Sequence, residues 1–125
     1  LLGQTAKIGA IGYCMGGRQA FVANGILPLA CAVSFYGSNI VSLPELAATQ
    51  SGPVLLVWGG KDPMIDAAQR QGVAELLRGA NKPFVEANFD AANHGFFCDA
   101  RAAYHRESAI PAFALTKAFL DTHLG

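Results

Sequence analysis

The chain has 125 residues, 52% apolar and only 14% charged, against a usual charged share of about 25%. That length suits one domain able to bury roughly two thirds of its unfolded surface. Nine basic and nine acidic residues cancel, which removes any bulk attraction to nucleic acid or an anionic membrane.

Lys61, Arg70, Arg78 and Lys82 are scattered among acids and form no basic run. No apolar stretch approaches the roughly 18 residues of a membrane span, and the N-terminus lacks a basic segment followed by an apolar one. The expectation is therefore no nucleic-acid partner and no membrane partner. Cys14, Cys31 and Cys98 are odd in number and widely spaced, so they read as free thiols of a reducing compartment. A cytoplasmic location is expected. The chain opens on Leu1 without an initiator methionine, as a fragment would.

The elements alternate. Residues 7–12 (KIGAIG) form a short apolar run suited to a buried strand, and 16–25 (GGRQAFVANG) a helix with Gly25 as its stop. Residues 29–37 (LACAVSFYG) read as a second strand. Residues 42–50 (SLPELAATQ) read as one short helix begun by Ser42, with Pro44 in its first turn. PVLLVWG at 53–59, bounded by Gly52 and Gly59–Gly60, is the clearest strand. Residues 67–80 space apolar side chains at 73, 76 and 77 between charges, the pattern of an amphipathic helix. Residues 83–89 (PFVEANF) alternate as a less buried strand. Over 107–125 an apolar stripe at 110, 113, 115, 119, 120 and 124 predicts a last helix, with Ser108 as N-cap and Pro111 in its first turn.

Strands alternating with helices predict an α/β domain, a parallel sheet with helices on both faces. Ligands of such sheets sit beyond the carboxyl ends of the strands. The first strand is followed by Gly12-Tyr13-Cys14-Met15-Gly16, the third by Asp62 after a double glycine, and the fourth by His94-Gly95. A thiol, a carboxylate and an imidazole thus occupy three loops at one sheet edge, in the order nucleophile, acid, base.

The G-x-C-x-G turn has a physical logic. A strand turning at once into a helix strains its middle residue, and flanking glycines let backbone pass close by. The thiol then projects at a helix N-terminus, where the dipole favours a thiolate. The Met15 N–H is the candidate oxyanion donor. His94 is placed to take and return a proton while Asp62 orients its ring. Singly, each residue has a simpler reading: a packed core cysteine, a solvated aspartate, a hydrogen-bonded histidine. Their conjunction favours catalysis. Gly9, Gly12, Gly16 and Gly17 contain no G-x-G-x-x-G, and His94 with Cys98 lacks further metal ligands, so no cofactor and no metal is expected.

The segments IGYCMGG, VLLVWGGKDPMI and NHGFFCDARAAYH resemble the elbow, acid and histidine segments of the dienelactone hydrolase family. The separations of 48 residues from Cys14 to Asp62 and 32 from Asp62 to His94 are similar to that family's. The resemblance covers the C-terminal half of an α/β-hydrolase fold, so residues 1–125 are expected to be a single domain truncated at the N-terminus. It implies a hydrolase opening lactones or cleaving esters through an acyl-cysteine, with Cys14 as nucleophile, His94 as base and Asp62 as orienting acid. It also assigns Tyr36, Phe96 and Arg101 to the pocket of a small-molecule lactone or ester. Without preceding strands, residues 7–12 would form an exposed apolar edge. Self-association across that edge is expected, and a truncated, non-catalytic interaction module is the alternative reading.

Overall fold

A computed structural model of the protein describes residues 6–125. The chain runs β1 (Gly9–Tyr13), α1 (Met15–Ile26), β2 (Cys31–Phe35), α2 (Pro44–Ala48), β3 (Val54–Gly59), α3 (Ala67–Gly79), β4 (Phe84–Phe89) and α4 (Arg106–Leu124). All four strands are parallel and lie in chain order, with β2 between β1 and β3 and with β4 at the far edge.

Every residue of β2 and of β3 is buried. Alternate side chains of a strand point to opposite faces, so a strand buried throughout needs both faces covered. A Cβ on Gly9 would meet Leu124 of α4, whereas one on Gly12 would run into Gly16 and Gly17 of α1. The first and last helices therefore cover opposite faces. Phe21, Val33, Phe35, Leu55, Leu56, Val57 and Trp58 form the centre of the core, each large aliphatic or aromatic side chain contributing roughly 1.5–3 kcal/mol of transfer free energy. A buried polar cluster ties α1 to the start of β3. Asn24 Nδ2 donates to Gln50 Oε1 (2.6 Å) and to the Gly52 carbonyl (2.8 Å), and Gln50 Nε2 donates to the Phe21 carbonyl (2.8 Å).

The alternating pattern of the sequence is observed, with four departures. Gly25 does not stop α1, which continues to Ile26; a Cβ there would lie 3.0 Å from Leu46 Cδ2, so its smallness serves helix packing. Residues 42–50 are not one helix: a 3₁₀ turn spans Ile40–Ser42, Ser42 Oγ donates to the Asn39 carbonyl at 2.7 Å, and α2 starts at Pro44. Ser108 does not cap α4. It lies buried inside the first turn, its Oγ 2.7 Å from His105 Nδ1, and Pro111 falls beyond that turn. The α4 stripe is also rotated. Ser108, Ala109, Ala112, Thr116 and Phe119 face the core, while Ile110 and Phe113 are 51% and 60% exposed. The small Ala109 and Ala112 face the sheet in the first half of α4, where Ile110 and Phe113 turn outward, while Leu115, Phe119, Leu120 and Leu124 of the expected stripe pack against the core.

Both sheet edges expose apolar side chains: Ile11 and Tyr13 of β1 are 44% and 42% exposed, Ile8 just before it 48%, and Val85 of β4 43%. Among the described residues β1 pairs only with β2. No helix among the described residues is long and apolar enough to cross a membrane.

Candidate active site

Cys14 forms the corner between β1 and α1 as the N-cap of that helix, with φ 57° and ψ −122°. A side chain in this sparsely populated region costs roughly 1–3 kcal/mol, held by its surroundings. Its N–H donates to the Phe35 carbonyl at 3.0 Å, and its carbonyl accepts from Gly17 (3.0 Å) and Arg18 (3.3 Å). A Cβ on Gly12 would fall 1.8 Å from the Gly16 carbonyl oxygen, and one on Gly17 2.6 Å from the Phe35 oxygen. At Gly16 a Cβ would meet nothing within 4 Å. The close approaches thus belong to Gly12 and Gly17, not to the symmetric Gly12–Gly16 pair that the motif suggests. Met15, 71% exposed, is the first residue of α1, so helix geometry leaves its N–H without an intrahelical partner.

The double glycine after β3 has an equally local reason. Cβ atoms on Gly59 and Gly60 would fall 2.7 Å from the Ala92 oxygen and 2.5 Å from Asp90 Cα. The loops leaving β3 and β4 are pressed together there. Gly60 N–H donates to the Phe89 carbonyl and Lys61 N–H to the Ala92 carbonyl, both at 2.8 Å. This pinch sets Asp62 against His94: Asp62 Oδ2 lies 2.6 Å from His94 Nδ1, and Asp62 Oδ1 accepts from the Met64 N–H at 2.8 Å. The aspartate side chain is 1% exposed and the histidine side chain 14%. A carboxylate at Nδ1 selects the Nδ1–H tautomer and leaves Nε2 as an acceptor.

The His94 ring packs against Tyr36, centroids 5.1 Å apart. Tyr36 is itself buried, with φ 40°. Burial, then the nearby Cys14, push its phenol up to about 12. Tyr36, Cys14 and Arg101 line one cavity of about 450 Å³, together with Tyr13, Gly95, Phe97 and Cys98. Arg101 lies over Gly95, whose φ is 78° and whose added Cβ would come within 2.9 Å of Arg101 Nη1. Phe96, expected in the pocket, does not line this cavity. It is fully buried against Tyr36 and Phe89, while its neighbour Phe97 lines the cavity and stacks on Tyr13 at 5.7 Å. In an irregular loop no period tells which of two adjacent phenylalanines turns inward.

Burial pushes the Cys14 thiol above its ordinary value; the Arg101 cation pulls it back, and Asp62 and Cys98 add to the rise. Burial thus opposes the thiolate that the helix N-terminus favours. Asp62 and His94 are directly bonded, whereas among the described hydrogen bonds none joins the Cys14 thiol to His94. Among the described residues no group of three or more His, Cys, Asp or Glu side chains is placed to hold a metal ion.

A parallel sheet with helices on both faces and functional side chains on the loops at its carboxyl edge is the α/β-hydrolase architecture. Residues 2–124 match the dienelactone hydrolase family, and the chain belongs to it. A "Putative carboxymethylenebutenolidase" of Yersinia pestis is 35% identical over 116 residues, 86% of this chain and 43% of the relative. The carboxymethylenebutenolidase of Pseudomonas putida is 30% identical over 109 residues, 86% of this chain and 45% of that one. A crystal structure of a "Putative Dienelactone Hydrolase" from Klebsiella pneumoniae superposes with a TM-score of 0.80 at 31% identity, covering 86% of this chain and 49% of that one. The chain thus spans about half the length of the curated relatives it matches.

Proposed function

We propose that the protein hydrolyses small lactones or carboxylic esters through an acyl-cysteine, with Cys14 as nucleophile, His94 as general base and acid, and Asp62 as orienting acid. The observation that carries this reading is the 2.6 Å Asp62–His94 contact, on the same sheet edge as a cysteine held at positive φ. The family supplies the reaction class.

In this mechanism His94 Nε2 takes the Cys14 proton as sulfur attacks the carbonyl carbon, and Asp62 stabilises the resulting imidazolium. The tetrahedral oxyanion accepts a hydrogen bond from the Met15 N–H. Collapse expels the alkoxide, which His94 protonates; in a lactone the alcohol stays tethered to the acyl group. His94 then deprotonates water, which attacks the thioester and releases the acid. Burial disfavours a free Cys14 thiolate, so in this reading proton transfer to His94 accompanies the attack by sulfur. Tyr36 and Arg101 are the pocket residues, and the Arg101 cation suits a substrate with a carboxylate.

Residues 1–125 act in this reading as one domain, in the cytoplasm, where Cys14, Cys31 and Cys98 stay reduced. The exposed β1 edge favours a second reading, a non-catalytic module that self-associates there. Hydrolysis of p-nitrophenyl acetate separates the two. The enzyme reading requires turnover that Cys14→Ala abolishes; equal rates for wild type and Cys14→Ala, with a concentration-dependent dimer in sedimentation, support the module.

A further inference from the structure

We propose that Cys14 and Cys98 are a redox pair, joined by a reversible disulfide when the protein meets a hydroperoxide. Both cysteines line the same cavity of about 450 Å³. Cys98 is exposed, Cys14 half-buried, and Cys31 fully buried in β2. Two of the three thiols therefore share one accessible space, and the third is sealed from it. The hydrolytic mechanism uses Cys14 alone and gives Cys98 no part.

The two cysteines sit on unlike supports. Cys14 is fixed at the β1–α1 corner by its bonds to Phe35, Gly17 and Arg18. Cys98 lies on the irregular connection between β4 and α4, held by turn bonds to Gly95 (3.2 Å) and from Arg101 (3.1 Å). That connection is anchored at the buried Phe96, whose carbonyl accepts from His105 N–H at 3.0 Å. The exposed stretch from Cys98 to Tyr104 is therefore the part that moves to close the bond, with Cys14 as the stationary partner. Cys98 is near enough for its charge to oppose ionisation of Cys14, and Arg101 near enough to favour it.

The chemistry balances. The exposed Cys98 thiolate attacks the outer oxygen of the hydroperoxide; an S–O bond forms, the O–O bond breaks, and the peroxide leaves as an alcohol or water. Cys98 is then a sulfenic acid, oxidised by two electrons. The Cys14 thiol gives up its proton as its sulfur attacks the Cys98 sulfur; the S–S bond forms, the S–O bond breaks, and the departing hydroxide takes that proton as water. A thiol reductant reverses the step by exchange. The disulfide does not depend on the proposed function; only its consequence does, since a disulfide-bonded Cys14 cannot attack an ester.

The test treats the reduced protein with hydrogen peroxide, alkylates remaining thiols in denaturant, and maps peptides by mass. The expected product is a monomer lighter by two hydrogens, with Cys14 and Cys98 peptides linked, Cys31 alkylated, and the mass restored by dithiothreitol. Cys98→Ser abolishes the link. Separate oxygen adducts on Cys14 and Cys98 without a link, links only between chains, no oxidation, or a link formed equally in urea-unfolded protein would each overturn the proposal. No outcome requires turnover, so a failure of the hydrolase reading is separately visible.

Discussion

The acid–histidine side of the site and the nucleophile side are built differently. Asp62 and His94 are locked together by a glycine pinch between two neighbouring loops, and their contact is complete within the described residues. Cys14 is held firmly in its backbone, yet it borders a cavity beside β1, which pairs only with β2 among the described residues. Orientation of His94 is therefore a local property of the β3 and β4 loops. Cys14, by contrast, borders a cavity formed with residues of other loops.

The largest break expected on the nucleophile side is Gly12→Ala, whose Cβ would fall 1.8 Å from a carbonyl oxygen. A loss of about 3 kcal/mol or more is expected in urea unfolding, because backbone meets backbone and no side chain can yield. Gly16→Ala, with nothing within 4 Å of its Cβ, should unfold within about 0.5–1 kcal/mol of wild type. On the other side, Asp62→Asn keeps shape but loses the carboxylate. Ester turnover should fall by about 100-fold or more, with a melting temperature changed far less.

A third prediction sharpens the contrast through pH. Burial raises the Cys14 thiol and Arg101 lowers it, so Cys14 alkylation by iodoacetamide should rise with pH around a midpoint above the ordinary thiol value. Arg101→Gln removes the cation that favours the thiolate, moving that midpoint higher and slowing alkylation at pH 8. A midpoint shifted down by that substitution would contradict the assigned electrostatics. The smallest effect concerns the edge. Ile11→Lys places a charge on exposed β1 and should weaken any concentration-dependent self-association seen by sedimentation, with little change in unfolding.

Much of this arrangement was legible in the residues. The run PVLLVWG between glycines read as a strand because burial on both faces leaves an unbroken apolar segment. The placement of Cys14, Asp62 and His94 at one sheet edge was legible because each lies in the loop after a strand of an alternating pattern. What escaped was set by tertiary contact. The α4 stripe turned because Ala109 and Ala112 allow close approach to the sheet. Phe96 and Phe97 divided their roles by which side of an irregular loop faces Tyr36. Cys98 reaches the cavity through folding of the long β4–α4 connection, for which no periodicity exists, and Arg101 was placed there by the family resemblance alone. The raised Cys14 thiol was likewise hidden, since a motif shows the helix N-terminus but not the burial around the sulfur.

The central claim is that Cys14 is the sulfur on which the acyl group rests. Its most direct test is the mass of the protein quenched in acid during turnover of p-nitrophenyl acetate, followed by peptide mapping. One acetyl group on Cys14, with Cys31 and Cys98 unmodified and no adduct in Cys14→Ala, is the predicted result. Turnover without a Cys14 adduct, persisting in Cys14→Ala, would contradict the account.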